Sequence, residues 1–347
     1  MFMAYPVRQV GTTGIAVSVL GFGGAPIGNM YQPITDAQAG ETLQTAWDCG
    51  FRYFDTAPRY GYGLSERRMG DFLRAQTEPY ILSTKVGRLL QRIDGPVPTD
   101  RPFVEALPFV EVFDYSYDAV MRSVEDSWHR LGLRRIDIAY IHDIGRLTHG
   151  DAAHGKLMRD AIDGGARALD ELKKAGVIGA YGLGVNEWQV CLEALQSCDM
   201  DVFLLAGRYT LLEQEAQEQF LPECVRRKAS VVIGGAFNSG ILVTGPKPGA
   251  KYDYEDAPPA ILERTAAIAA ICRDHGVPLP AAALQFPLTH PAVVSVIPGA
   301  ASPDHVRQAA AWAGLPIPAA LWRDLRDAGL LRFDVPVPGD GGIGGGQ

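Results

Sequence analysis

The stretch Phe51–Glu66, FRYFDTAPRYGYGLSE, decides how this chain is read. It opens on a short β-prone run, Phe51 to Phe54, and ends that run on Asp55. A turn containing Pro58 then delivers Tyr60 onto a loop carrying Gly61 and Gly63. Ser65 stands where an N-cap is expected, opening a helix over 65–75. A carboxylate at a strand end and a tyrosine on the following loop suit proton transfer. A tyrosine with the ordinary pKa of about 10 is nevertheless a poor acid or base at neutral pH. It becomes useful when a nearby cation stabilises the phenolate. A lysine and a histidine at the ends of other strands would complete such a centre.

Both are present. The run Tyr80–Thr84 reads as a buried strand ending on Lys85, and Ile136–Ile141 as another ending on His142. In a (β/α)8 barrel the ends of all the parallel strands meet on one face, where the chemistry of such barrels sits. Any one of these residues alone would pass for a surface or packed side chain. Together, in this order and with the pattern DTAxxYGxGxSE, they resemble the aldo-keto reductase superfamily over roughly Arg8 to Asp327. The resemblance implies an α/β fold, a (β/α)8 TIM barrel with an N-terminal β-hairpin and a C-terminal extra helix. It also implies that Asp55, Tyr60, Lys85 and His142 are catalytic. Tyr60 would transfer the proton, Lys85 would stabilise its phenolate, Asp55 would pair with Lys85, and His142 would orient the substrate oxygen.

Length and composition fit one large barrel. The chain has 347 residues, 47% of them hydrophobic, which is ample for a core. The net charge of −8, with acids and bases interspersed, argues against nucleic acid or an anionic membrane as partner. No apolar run reaches membrane-spanning length, and the N-terminus lacks a basic-then-apolar leader pattern. The five cysteines are scattered and form no CxxC, and no metal-ligand spacing is present. A cytoplasmic protein, monomer or weak dimer, without metal, is expected.

Residues 8–20 read as a hairpin closing the barrel floor, residues 1–330 as one barrel, and residues 331–347 as a flexible, glycine-rich tail. Three stretches read as long loops: 87–114, 143–163 and 245–259. The first, rich in proline and following Lys85, is expected on the substrate side. Gly150–Lys156 mimics a phosphate-binding GxxxxGK, but Leu157 follows and no strand precedes it, so it is read as coincidence. His149 and His154 in that stretch read as solvated loop histidines. Gly21-Phe-Gly-Gly24 lacks the third glycine of a dinucleotide-binding fingerprint, because that position is Pro26.

The cofactor site is implied by the resemblance. Gly23 and Gly24 would let the nicotinamide half of NAD or NADP approach the barrel mouth. Asn186 would hold the carboxamide, although the serine usual before it is Val185 here. Phe237 would stack on the nicotinamide ring, and Ser239, Pro298, Gly299, His305 and Gln308 would complete the cofactor contacts. NADP-specific members carry a lysine and an arginine where this chain has Gly299 and His305, so NAD is expected as the preferred cofactor, with NADP possible.

Within the superfamily, FDTAPRYGYGLSERRMG, GLGVNEW and AGRYTLLEQ most resemble bacterial L-fucose/D-threo-aldose 1-dehydrogenases. Plant L-galactose dehydrogenase and bacterial pyridoxal 4-dehydrogenase are the near relatives. The expected reaction is oxidation of the anomeric hydroxyl of an L-fucose, L-galactose or D-arabinose type sugar to a lactone. Pyridoxal oxidation and general aldehyde reduction are the alternatives. A regulatory binding subunit of the same fold is the reading from another class, and sustained NADH production would tell it from an enzyme.

Overall fold

The structure, a computed structural model, describes residues 5–338. Its strands, in chain order, are β1 (Val7–Gln9), β2 (Ala16–Ser18), β3 (Phe22–Gly23), β4 (Tyr53–Asp55), β5 (Ile81–Val86), β6 (Arg88–Arg92) and β7 (Phe109–Phe113). They continue with β8 (Ile138–His142), β9 (Ala180–Val185), β10 (Val202–Ala206), β11 (Ser230–Gly234), β12 (Lys251–Tyr252), β13 (Glu255–Asp256) and β14 (Val293–Val296). Eight of them form one parallel sheet in the order β14-β11-β10-β9-β8-β5-β4-β3. Parallel bridges Leu20–Val296 and Gly23–Gly299 join the two ends. Gly21 N donates to Val296 O at 3.0 Å and Gly23 N to Pro298 O at 3.0 Å, closing the (β/α)8 barrel.

Alternation along the strands sorts side chains into two cores. Tyr53, Ile138, Tyr140, Val202, Leu204 and Val232 point inward and pack with one another. Their neighbours Phe54, Ala139, Ile141, Phe203, Leu205 and Ile233 face the surrounding helices. With a side-chain period of two, a one-residue slip would exchange the two sets, so the register is strongly specified. The antiparallel hairpin β1–β2 adds Val10, Ile15 and Val17 to the interior set and plugs the floor, as its sequence suggests.

Several expectations are corrected. The helix after Tyr60 runs Leu64–Leu73 and its N-cap is Gly63, whose φ of 100° suits glycine. Ser65 lies inside, its hydroxyl 2.8 Å from Thr56 Oγ1 and donating to Gly24 O at 2.7 Å. It ties its helix to the segments that follow β3 and β4 rather than capping it. Residues 87–114 are not simply a loop, because β6 and β7 pair antiparallel within them. The prolines that suggested irregular chain sit in the connection and at its end, outside the paired residues. Likewise 245–259 contains the small hairpin β12–β13.

Residues 143–163 are mostly helical: Arg146–Arg159 is an α-helix, broken at Gly150 (φ 71°), and a π-helical turn spans Asp160–Ala166. Gly150 and Gly155 hid the helix. The GxxxxGK mimic lies within it, and Lys156 pairs with Asp160 one turn on. His154 is buried rather than solvated, with Nε2 3.0 Å from Glu193 Oε2. His149 Nε2 lies 2.9 Å from the Tyr115 hydroxyl.

The boundary expected at residue 330 also moves. Leu331, Val335 and Val337 are buried, and Arg332 N donates to Gln214 Oε1 at 2.8 Å. The glycine-rich end of the expected tail, from residue 339, lies outside the described residues. No described helix is long and apolar enough to cross a membrane.

The core also predicts acid sensitivity. His290 is buried, its Nδ1 accepting from Ala292 N at 3.1 Å, and burial lowers its pKa to about 4. In the unfolded chain an imidazole titrates near 6.5. A depressed histidine leaves the unfolded state holding the extra proton, so stability is lost as pH falls from about 6.5 toward 4, by roughly 3 kcal/mol in all. The expected result is a Tm that drops on acidification from neutral pH, less steeply in His290→Gln. Parallel Tm-against-pH curves for the two proteins would remove His290 from the account.

Candidate active site

The same alternation that builds the interior places the chemistry. Tyr53 and Asp55, Ser83 and Lys85, and Tyr140 and His142 are pairs two residues apart, so each second member shares its partner's inward side at a C-terminal strand end. Register sets their heights: Asp55 lies opposite Ser83, Lys85 opposite Tyr140, and His142 opposite Gly184. A Cβ on Gly184 would sit 3.4 Å from Lys85 Cε, so glycine there leaves the lysine stem room.

Lys85 Nζ donates to Asp55 Oδ2 at 2.7 Å and to Thr56 O at 2.9 Å. Ser83 Oγ donates to Asp55 Oδ1 at 2.6 Å, and the Tyr53 hydroxyl lies 3.1 Å from both Ser83 Oγ and the Tyr140 hydroxyl. A ladder of hydroxyls thus rises through the barrel to hold the carboxylate. Burial pushes the Asp55 carboxyl up, against Lys85 and the Ser83 hydroxyl. Burial lowers Lys85, but Asp55 and Tyr60 outweigh it and hold the ammonium above its ordinary value. These two directions conflict over whether the pair carries its charges. The geometry decides for the ion pair, since buried charges persist when closely paired and further hydrogen-bonded, as both are here.

Tyr60 sits above Lys85, whose Nζ is 4.6 Å from the centre of its ring. Burial raises the phenol, Lys85 pulls it down, and Asp55 adds to the rise, so the resting form is the neutral phenol. The His142 ring stands edge-on to Tyr60 with centres 6.2 Å apart. Burial, followed by Arg88, Lys85 and Arg59, holds His142 well below the usual histidine range. It is therefore a neutral imidazole. Tyr115 donates its hydroxyl to His142 O at 2.8 Å, fixing the chain just before Asp143 turns to a φ of 48°.

The four residues lie in one cleft of about 1170 Å³. Gly23, Gly24, Asn186, Phe237, Ser239, Pro298, Gly299, His305 and Gln308 line it too, so every site residue expected from the sequence is brought together. The cleft exceeds the 300–1,000 Å³ usual for small ligands, as a dinucleotide with a second molecule would require. His142 Nδ1, Asn238 Oδ1, Arg88 Nε and Arg101 Nη1 are buried without partners, four unmet polar atoms among the lining residues. Gly23 is demanded by close approach, because a Cβ there would meet Ile297 O at 2.8 Å. These residues fit a nicotinamide dinucleotide. Asn186 meanwhile donates to Ala206 O at 3.3 Å.

The sequence reading missed part of the wall. Arg59, Arg88, Glu111, Asp143, Phe103 and Phe113 all face the cleft. Arg88 donates to Glu111 Oε2 at 2.8 Å and pairs with Asp143, and Arg59 pairs with the other Glu111 oxygen. Arg59 stood within the quoted stretch, and Phe109-Val-Glu-Val-Phe113 carries a strand-like alternation that could have signalled the second arm of the hairpin.

Comparison with known proteins agrees with this geometry. The model of the Aldo/keto reductase family matches residues 19–328, and the chain belongs to that family of NAD(P)-linked oxidoreductases. It is 47% identical over 333 residues to the pyridoxal 4-dehydrogenase of Microbacterium luteolum, covering 93% of this chain and 97% of that protein. It is 40% identical over 333 residues to a D-threo-aldose 1-dehydrogenase from a Pseudomonas species, covering 94% and 97%. Among solved structures, the holo form of the aldo-keto reductase AKR11C1 from Bacillus halodurans superposes with a TM-score of 0.73 at 26% identity, over 93% of this chain and 96% of that one.

Proposed function

We propose that this enzyme oxidises the anomeric hydroxyl of an aldose to a lactone, with NAD⁺ as its preferred cofactor. Asp55, Tyr60, Lys85 and His142 are the catalytic residues of this reading. The observation that carries it is the Tyr60–Lys85–Asp55 relay at the floor of a cleft whose open wall is lined by charged and aromatic side chains. The bound nicotinamide supplies the hydride acceptor. Tyr60 takes the proton of the anomeric hydroxyl, and Lys85 stabilises the phenolate that would otherwise be costly in a buried site. Asp55 keeps Lys85 charged and in place. His142, neutral, hydrogen-bonds the reacting oxygen and orients it. Proton transfer of this kind contributes about 10²–10⁴-fold, the rest coming from positioning.

A second reading has its own support in the 47% identical relative, a pyridoxal 4-dehydrogenase. Pyridoxal closes on itself to a cyclic hemiacetal, so the bond oxidised is of the same kind. Initial rates of NADH formation over a panel of aldoses plus pyridoxal test both readings. L-fucose, L-galactose or D-arabinose is expected to lead. Pyridoxal outrunning them tenfold would overturn the sugar assignment while leaving hemiacetal oxidation intact.

A further inference from the structure

An alternating row of charges runs along the open wall of the cleft: Arg59, Glu111, Arg88, Asp143. It begins at the residue before Tyr60 and ends at the residue after His142, so it brackets the space where a reacting carbon must sit. Its members come from separate parts of the chain, with Glu111 on β7 and Arg88 on β6 of the hairpin that follows Lys85. The side chains are poorly exposed, 28% for Arg59, 17% for Glu111 and 4% for Arg88. Desolvating such a row is costly, and buried ion pairs are weak sources of stability compared with apolar packing. Its place on the cleft wall suits recognition instead, where fixed polar groups orient a ligand.

The row has capacity to spare. An ionised carboxylate offers about four acceptor positions. Glu111 gives one oxygen to Arg59 and the other to Arg88. Burial would raise its pKa, but Arg88 and Arg59 outweigh that and keep it an anion. Arg59 bonds Glu111 through Nη1, and Arg88 Nε is buried with no partner. Apolar surface lies beside them: Phe113 under the Arg88 guanidinium at 4.6 Å, and Phe103 with its ring centre 6.0 Å from that of Tyr60.

We propose, resting on the hemiacetal reading above, that Arg59 and Glu111 are the specificity-determining pair of this pocket. They recognise two neighbouring oxygen substituents on a hemiacetal ring, away from the carbon being oxidised. Glu111 accepts from one hydroxyl and Arg59 donates to the next, while the aromatic rings meet the C–H face. The fit is to a five- or six-membered ring bearing vicinal hydroxyls, rather than to a bare aldehyde or an unsubstituted lactol.

The test compares L-fucose with 2-hydroxytetrahydropyran, which carries the same hemiacetal but no ring hydroxyls. Wild type, Glu111→Gln and Arg59→Lys are assayed for kcat and KM on both, with NADH affinity by fluorescence titration reporting that each variant is folded. In each variant the ratio of kcat/KM for L-fucose over the bare lactol is expected to fall at least tenfold, mainly through KM. Equal losses on both compounds in both folded variants would show a structural role and overturn the assignment, leaving the hemiacetal reading untouched. A wild type that oxidises neither compound but does oxidise pyridoxal would overturn this assignment alone, and one that also leaves pyridoxal and the other aldoses of the panel untouched would overturn both.

Discussion

Tyr60→Phe is expected to lower kcat for hydride transfer by about 10²–10⁴-fold, the worth of a positioned acid–base group. The substitution removes one oxygen and leaves the ring that packs near Phe103 and His142. It leaves the Lys85–Asp55 pair and its hydroxyl ladder unchanged, because Lys85 holds Asp55 Oδ2 and Thr56 O without Tyr60. Cofactor affinity should therefore stay within a few-fold of wild type. The measurements are steady-state rates on the best substrate of the panel and NADH titration of the same protein. A loss of kcat and kcat/KM together, with binding kept, marks an interaction realised only in the transition state. Retention of a tenth of the wild-type rate would end the case for Tyr60 as the acid–base residue.

The proposed centre was legible in the sequence because three of its residues, Asp55, Lys85 and His142, stand at or next to the C-terminal ends of barrel strands. A strand that ends on an ionisable residue and alternates inward and outward fixes both the height and the side of that residue. Asp55, Lys85 and His142 needed no more than that, and Tyr60 followed from the glycine-bounded loop. What escaped reading lay where local signals conflict with tertiary ones. The helix Arg146–Arg159 carries Gly150 and Gly155, poor helix formers that packing overrides. Ser65 had the residue type of an N-cap, yet it is consumed by Thr56 and Gly24 from other segments, partners that no local pattern reveals. The row from Arg59 to Asp143 joins four separated positions through side-chain contacts alone. Its members read one by one as ordinary polar loop residues, and only their convergence gives them meaning.

NAD⁺ is expected to exceed NADP⁺ in kcat/KM, because NADP⁺ should bind about 10²–10⁴-fold more weakly here than in an enzyme with a full 2′-phosphate clamp. Each charged hydrogen bond to that phosphate contributes about 1.5–3 kcal/mol, and two are missing where Gly299 and His305 stand. The structure adds a reason. Arg307 pairs with Asp304 at 2.7 Å, and no lysine or arginine is found among the cleft-lining residues from Gly299 to Trp312. The helix Pro303–Ala313 begins at Ser302, whose hydroxyl accepts from His305 N at 3.3 Å, so His305 lies in the first turn. His305→Arg is accordingly expected to raise kcat/KM for NADP⁺ about tenfold, by restoring one such bond. Gly299→Lys is constrained by packing, because a Cβ there would meet Pro26 Cγ at 2.8 Å and a proline ring yields little. Its contribution should emerge only with Pro26→Ala, which removes the obstructing ring atoms. Rates with both cofactors on wild type, His305→Arg and the triple variant decide the matter. A wild type that already prefers NADP⁺ would mean that Arg307 leaves Asp304 to grip the phosphate, and Arg307→Ala would then abolish that preference.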